Sequence, residues 1–382
     1  MRQRTVLISG AGVAGSTLAF WLVRHGFRPT VVERAQGQRS SGNPVDVRGT
    51  AVPVVERMGV MPHLRAAATR VPGLTFVTAT GRRIGPLGLG RPSGDALEVP
   101  RADLARILYE AVRDDAEFLF DDTITALRQD TDGVDVTFER AAARRFDLVI
   151  GADGLHSGVR GLVFGPEADC VRHLGLYIAT MPLHRTAADP SAVVMHNIPG
   201  RSVAVHPLHG EAGAAFMFRG PAIPGFDHRD AERHKKIVIA AYRDGDWDLP
   251  DLPDLPGRVR AATDFYFDAI SQVRLPTWSR GRVSLVGDSA TSVSLFGDGS
   301  SLAITGAHAL ADALAATPDD HEIALRAYEK HHRPLVTARQ RGFQLAGALL
   351  VPSTNFGITA RNLAIGLLPR VPRRKVASRT GS

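Results

Sequence analysis

Short unbroken apolar runs and longer periodic ones divide this chain before any residue is assigned a role. Residues 5–9, Thr-Val-Leu-Ile-Ser, are branched and apolar throughout, which predicts a strand buried on both faces. Residues 14–25 repeat apolar positions at helical spacing and stop at Gly26, a residue suited to the position just past a helix. Thr30-Val31-Val32-Glu33-Arg34 predicts a second strand. Phe146–Ile150 and Val283–Val286 predict two more, the first ended by Gly151-Ala152-Asp153-Gly154 and the second by Gly287-Asp288. Helices are predicted from Arg101, with Leu104, Ile107 and Leu108 as the apolar side, and from about Ser300. Between about 171 and 274 the pattern changes to alternation, as antiparallel strands require. In Ala214–Gly220, Phe216 and Phe218 share one face and Met217 points the other way. Phe356, Leu363, Ile365, Leu367 and Leu368 predict a last helix over 353–368, packed on the domains or covering a pocket.

These runs describe an α/β protein with a Rossmann-like domain, a β-sheet domain and C-terminal helices. The first domain is expected to be discontinuous, over 1–170 and 275–345. A β-rich substrate domain is expected over 171–274, and a helix with a basic tail over 346–382. Composition supports an ordinary globular chain of about two domains: 382 residues, 44% apolar and 22% charged. One cysteine, Cys170, excludes an intramolecular disulfide and a multi-cysteine metal site, and fits a reducing cytoplasm. The fourteen histidines show no ligand spacing, so no metal is expected. His331-His332, before Arg333-Pro334, are read as a helix end, and His206 and His209 as turn residues. The net charge is +7, but the arginines are scattered apart from Arg370, Arg373, Arg374, Lys375 and Arg379. No zinc-finger or RNP pattern accompanies them, so no nucleic-acid partner is expected. No stretch reaches the roughly 18 apolar residues of a membrane span, so no stable membrane insertion is expected.

The chemistry starts at Gly10, Gly12 and Gly15, which stand in G-x-G-x-x-G spacing between the first strand and the first helix. The first glycine permits the tight turn, the second lets the backbone approach a pyrophosphate, and the third lets helix and strand pack closely. Glu33 closes the next strand, where an acceptor for ribose hydroxyls belongs. The fingerprint implies a dinucleotide: FAD, NAD or NADP. A glutamate disfavours the 2′-phosphate of NADP. Two later segments favour FAD: the strand ending in Gly151–Gly154, and the strand ending in Gly287-Asp288 with its glycine-rich loop and helix. An aspartate at the tip of a parallel strand lies where such sheets bind ligands. A helix start at Gly299–Ser301 offers free amides and a positive dipole end to the negative N1/O2 edge of a reduced flavin.

With GAGVAG and Glu33, GNPVDVRG (42–49), PRADLARIL (100–108), GADGLHSGVR (151–160) and GRVSLVGDSA (281–290), the chain resembles the class A FAD-dependent monooxygenases of the aromatic hydroxylase type. It looks closest to the branch of tetracycline-inactivating monooxygenases and polyketide hydroxylases, over about residues 1–345. The resemblance implies that Glu33 and Arg34 lie at the adenosine ribose and that Arg101 reaches the FAD phosphates. It places Asp153 in FAD and nicotinamide handling and Asp288 at the ribityl or pyrophosphate region. Arg48 is placed beside the isoalloxazine, and Gly299 and Ser300 at the flavin-facing helix start. NADPH or NADH is implied as a transient reductant and O₂ as co-substrate. The implied activity is hydroxylation of an aromatic or polyketide-like small molecule through a flavin C4a-hydroperoxide, with no catalytic side chain needed. His196, Phe216 and Phe218 are the candidate substrate contacts. The chain departs from the family in its 289–299 loop, which lacks the usual proline and places Asp298 near the flavin. That departure leaves room for a flavin oxidase or dehydrogenase, or a non-catalytic flavin-bearing binding protein.

Overall fold

A computed structural model describes residues 4–37, 44–69, 73–78, 82–87, 95–208, 211–244, 247, 252–292 and 298–367. Gly42, Asn43, His209, the centre of the 289–299 loop and the basic tail from Leu368 lie outside the described residues.

The branched apolar runs build a six-stranded sheet. Its order is Ser279–Arg280, Val283–Leu285, Leu148–Gly151, Thr5–Ser9, Arg28–Glu33 and Glu117–Phe120. All neighbours are parallel except the Ser279–Arg280 edge. Val6, Leu7 and Ile8 are wholly buried, as strands covered on both faces must be. Helix Val13–Arg24 follows the first strand, and Gly26 takes φ +81° beyond its end. Helices Val13–Arg24 and Asp298–Ala316 pack against each other beside this sheet.

The predicted strand Phe146–Ile150 is two strands in the structure. Arg144–Phe146 joins a three-stranded antiparallel sheet with Val134–Phe138 and Ile124–Gln129, while Leu148–Gly151 enters the parallel sheet. Asp147 is the joint: its carboxylate accepts from the Thr5 amide at 2.7 Å and the Thr5 hydroxyl at 2.9 Å.

A second sheet has seven strands in the order Tyr266–Val273, Val171–Pro182, Ala212–Arg219, Arg201–Pro207, Val193–Ile198, Leu74–Val77 and Arg83–Leu87. The last two come from within residues 1–170. Leu74–Val77 pairs in parallel with Val193–Ile198, more than a hundred residues away in sequence. One face of this sheet, with Tyr177, Phe216, Phe218 and Phe267, is covered by helices Ala231–Ala241 and Leu255–Ala261. The opposite face, with Leu176, Met195, Ala215, Met217 and Ile270, packs on Leu350, Val351 and Ile365. These last residues belong to, or adjoin, the C-terminal helices Phe343–Leu350 and Asn355–Gly366. Buried Arg361 clamps the contact, with its guanidinium 3.7 Å from the Phe76 ring centroid and bonded to Asn197 Oδ1 at 2.9 Å.

His331 and His332 do not end a helix. They lie inside His321–Arg341, which runs on through Pro334. Arg333, the residue before Pro334, donates to the Leu275 carbonyl, and buried His332 faces Gly306, where a Cβ would come within 2.7 Å of its ring. Packing on both sides thus holds the helix across the amide that Pro334 lacks.

Candidate functional site

The three glycines of the first loop serve three different physical ends. Gly10 has φ +103° and donates its amide to the Val32 carbonyl at 2.7 Å. A Cβ there would lie 2.6 Å from the Ala152 carbonyl oxygen. At Gly15 a Cβ would lie 1.9 Å from the Gly10 carbonyl oxygen, so the helix could not start against the turn. Gly12, the N-cap of helix Val13–Arg24, would meet no protein atom within 4 Å. The amides of Val13, Ala14 and Gly15 have no acceptor within their own helix. Open space in front of free amides at a helix start suits an anionic phosphate.

Glu33 ends the second strand beside this loop. Its two carboxylate oxygens accept from the Ala11 and Ala35 amides, each at 2.9 Å. An ionised carboxylate keeps lone pairs for ribose hydroxyls after those two bonds. Arg34 is exposed, and its charge helps lower the pKa of His228.

The third glycine turn closes the site from the other side. Gly287 has φ +66°, and a Cβ there would sit 2.8 Å from the Ala14 Cβ, so only glycine lets the turn pass over the first helix. Ser289 locks the turn by hydroxyl bonds to the Gly151 and Val286 carbonyls, at 2.6 and 2.7 Å. Asp288 therefore faces the start of helix Asp298–Ala316; a Cβ on Gly299 would lie 3.7 Å from its Oδ1. Among the described residues no donor bonds the Asp288 carboxylate. Burial pushes its pKa up, Arg101 pulls against that, and Asp268 adds to it. The first glycine loop with Glu33, and Asp288 with Gly299 and Arg101, thus come together beside helix Val13–Arg24.

Asp153 and Ser300 are placed differently. Asp153 is a structural tie: it accepts from the Ser157 hydroxyl at 2.5 Å and the Val159 amide at 3.1 Å, and burial raises its pKa. Ser300 donates to the Asp46 carbonyl at 2.7 Å, as does Ser301, so the helix start is bolted to strand Val45–Val47. Asp298 is bound by Arg48 through Nε at 2.7 Å and a terminal nitrogen at 2.5 Å. Arg48 also pairs with Asp46 at 3.4 Å. The carboxylate the sequence placed near the flavin therefore arrives with its own cation.

The three substrate candidates share one face of the second sheet, the face covered by helices Ala231–Ala241 and Leu255–Ala261. Phe216 is wholly buried against Tyr242, and Phe218 packs on Tyr177, Tyr242 and Phe267 under the two covering helices. His196 sits opposite Val203, which belongs to that same buried layer. The other face carries Met217, Ala215, Tyr266 and Asp268, and the last two meet the dinucleotide-binding half. Asp268 bonds His156 Nε2 at 3.2 Å and the Tyr266 hydroxyl at 3.2 Å. Arg101 and Asp288 act electrostatically on Tyr266, whose pKa burial pushes well up.

His156, within GADGLHSGVR (151–160), joins this contact between the two halves. Its Nδ1 bonds Glu167 at 3.0 Å, and its ring stacks on His228 with centroids 4.0 Å apart. Burial opposes its charge, but the bonds to Asp268 and Glu167 outweigh it and hold the pKa up at about 9. Burial takes His228 down to about 4, with His156 and the nearby arginines adding. Nothing in the local pattern around Asp268 or Tyr266 could have exposed this cluster, since it forms only when the two halves meet.

Residues 3–341 match a family model described as FAD binding domain. The chain belongs to the FAD-dependent monooxygenases. A flavin-dependent monooxygenase from an unknown prokaryotic organism is 35% identical over 344 residues, covering 88% of each chain. A Mycobacterium tuberculosis protein, Rv1260, described as uncharacterized, is 40% identical over 88% of this chain and 92% of its own. The crystal structure of tetracycline destructase Tet(55) superposes with a TM-score of 0.81 at 32% identity over 95% of each chain. The monooxygenase fits its FAD in three respects: the amides of Val13–Gly15 at the helix start, the held Glu33 carboxylate, and the Asp288 carboxylate, which no donor among the described residues bonds. No helix among the described residues is long and apolar enough to cross a membrane.

Proposed function

We propose that this flavoprotein hydroxylates an aromatic or polyketide-like small molecule with O₂, using NADPH or NADH as the source of electrons. The observation that carries the reading is the convergence of Asp288, Gly299 and the Gly12 helix start on one region, faced by the side of the second sheet that carries Met217, Tyr266 and Asp268. Bound FAD supplies the hydride acceptor and the oxygen chemistry. The chain's own residues bind, orient and neutralise. Gly12–Gly15 amides hold the pyrophosphate, Glu33 the ribose, and Arg101 with Asp288 the link between them. Substrate lies against Met217, Ala215 and Ile178 rather than against Phe216, Phe218 or His196. The Tyr266 hydroxyl, kept protonated by burial, is a hydrogen-bond donor or acceptor at its edge. Helices Phe343–Leu350 and Asn355–Gly366 close that side and exclude water. The similarity to Tet(55) supports polycyclic, oxygen-rich substrates, in antibiotic modification or secondary metabolism.

The test is a screen of NADPH and NADH oxidation against tetracyclines and polycyclic aromatics, with product mass measured under ¹⁸O₂. One labelled oxygen in the product is expected. Product that has lost hydride without label would assign an oxidase or dehydrogenase. Bound ligand with no product would assign a binding protein.

A further inference from the structure

The charge of this chain is concentrated at one end. After Glu329 no aspartate or glutamate occurs, while residues 330–382 hold ten lysines and arginines. Residues 1–329 are therefore net negative, by three, and the whole positive excess of +7 belongs to the C-terminal end. Within that end, a stretch without exposed charge runs from Gly342 to Pro369. Its one charged residue, Arg361, is buried over Phe76 and against Asn197.

The outward face of helix Asn355–Gly366 is correspondingly apolar. Phe356 is 83% exposed, Leu363 63% and Leu367, just past the helix end, 86%. They lie at i, i+7 and i+11, in one line along the helix. Thr359, Ala360, Ala364 and Gly366 are the other exposed residues between Phe356 and Leu367, so the stripe carries no charge. Leu345 of the preceding helix is 77% exposed as well. Arg370, Arg373, Arg374, Lys375 and Arg379 follow within a few residues. Arg341, at the end of helix His321–Arg341, is exposed at the other side of the stretch.

We infer that this C-terminal face docks the enzyme on an anionic lipid surface. An uncharged helix face flanked by basic residues buries its apolar side chains at the headgroup boundary while the cations meet anionic headgroups. A second copy of this chain would satisfy the apolar stripe but bring two strongly basic ends together. A nucleic acid would satisfy the cations and leave Phe356, Leu363 and Leu367 in water. An anionic bilayer satisfies both. The contact is peripheral, because no described helix can span.

The FAD-loaded, full-length protein is centrifuged with vesicles of phosphatidylcholine, and with vesicles in which roughly a third of the lipid is phosphatidylglycerol. Binding to the anionic vesicles, weak binding to the neutral ones and loss at high salt are expected. A variant with Phe356→Ser, Leu363→Ser and Leu367→Ser should bind at least ~10-fold less, since the apolar area is removed. A second variant, Arg370→Gln with Arg373→Gln, Arg374→Gln and Lys375→Gln, should lose the preference for anionic lipid. Flavin content and melting temperature of both variants serve as controls of folding. Wild type that stays in the supernatant with anionic vesicles overturns the inference. So does binding that survives the serine substitutions, or a stable dimer that those substitutions dissolve without any vesicle binding.

Discussion

Gly12 and Gly15 separate a ligand role from a folding role within one loop. Gly12→Val adds a side chain into space that holds no protein atom within 4 Å, at a residue with φ −73°. The fold should lose only what valine costs as a poor N-cap, about 1 kcal/mol, or roughly 2 °C in a chain of this size. The pyrophosphate, by contrast, must approach that backbone. Overlap of the overpacking kind costs about 1–3 kcal/mol, which weakens FAD binding by roughly 5- to 150-fold. Gly15→Ala reverses the balance. Its Cβ would lie 1.9 Å from a backbone oxygen, so the first helix must shift away from the turn. The apoprotein itself should be destabilised by at least the same ~1–3 kcal/mol. Thermal unfolding of both apoproteins by circular dichroism, with FAD affinity from flavin fluorescence, measures the two effects separately. Wild-type FAD affinity in Gly12→Val would refute the assignment of that space to the pyrophosphate. A larger loss of melting temperature in Gly12→Val than in Gly15→Ala would refute the packing account.

Two further outcomes follow from charged pairs between elements. Arg48→Ala leaves Asp46 without its cation and Asp298 with Arg339 at 3.7 Å, and should cost about 1–3 kcal/mol at pH 8. Burial, opposed by Arg48 and reinforced by Glu98 and Asp298, already puts Asp46 up at about 6, so protonation should relieve much of that loss at pH 5; melting curves at the two pH values check this. His156 gains its proton affinity on folding, from the ordinary 6.5 to about 9. Its stabilisation, up to roughly 3 kcal/mol, is full below pH 6.5 and disappears as pH rises through about 9. The gap in denaturant stability between wild type and His156→Gln should therefore close over that window, and a gap that stays constant would show that the imidazole acts only by packing.

Local pattern determined the nucleotide-binding end of this protein, because each of its parts is made by neighbours in sequence. A buried parallel strand needs an unbroken apolar run, a tight turn needs glycine, and a helix start follows at once. Gly10, Gly12, Gly15 and Glu33 were legible for that reason, and so was the change to alternation near residue 171. Alternation also showed that Phe216 and Met217 face opposite ways, but a two-sided sheet offers no local sign of which side meets the ligand. Only the packing of Ala231–Ala241 and Leu255–Ala261 over Phe216 decided that Met217 faces the other way, toward the C-terminal helices. The strands 74–87 joined the second sheet through a parallel pairing that no turn signals. Asp298 read as a bare charge until Arg48, 250 residues earlier, was seen to grip it. His156, Asp268 and His228 come from three separate stretches, and their contacts exist only because the two sheets are held together. Chemistry set by neighbours in the chain can be read from the chain, whereas chemistry set by contacts between distant elements depends on which faces the fold covers.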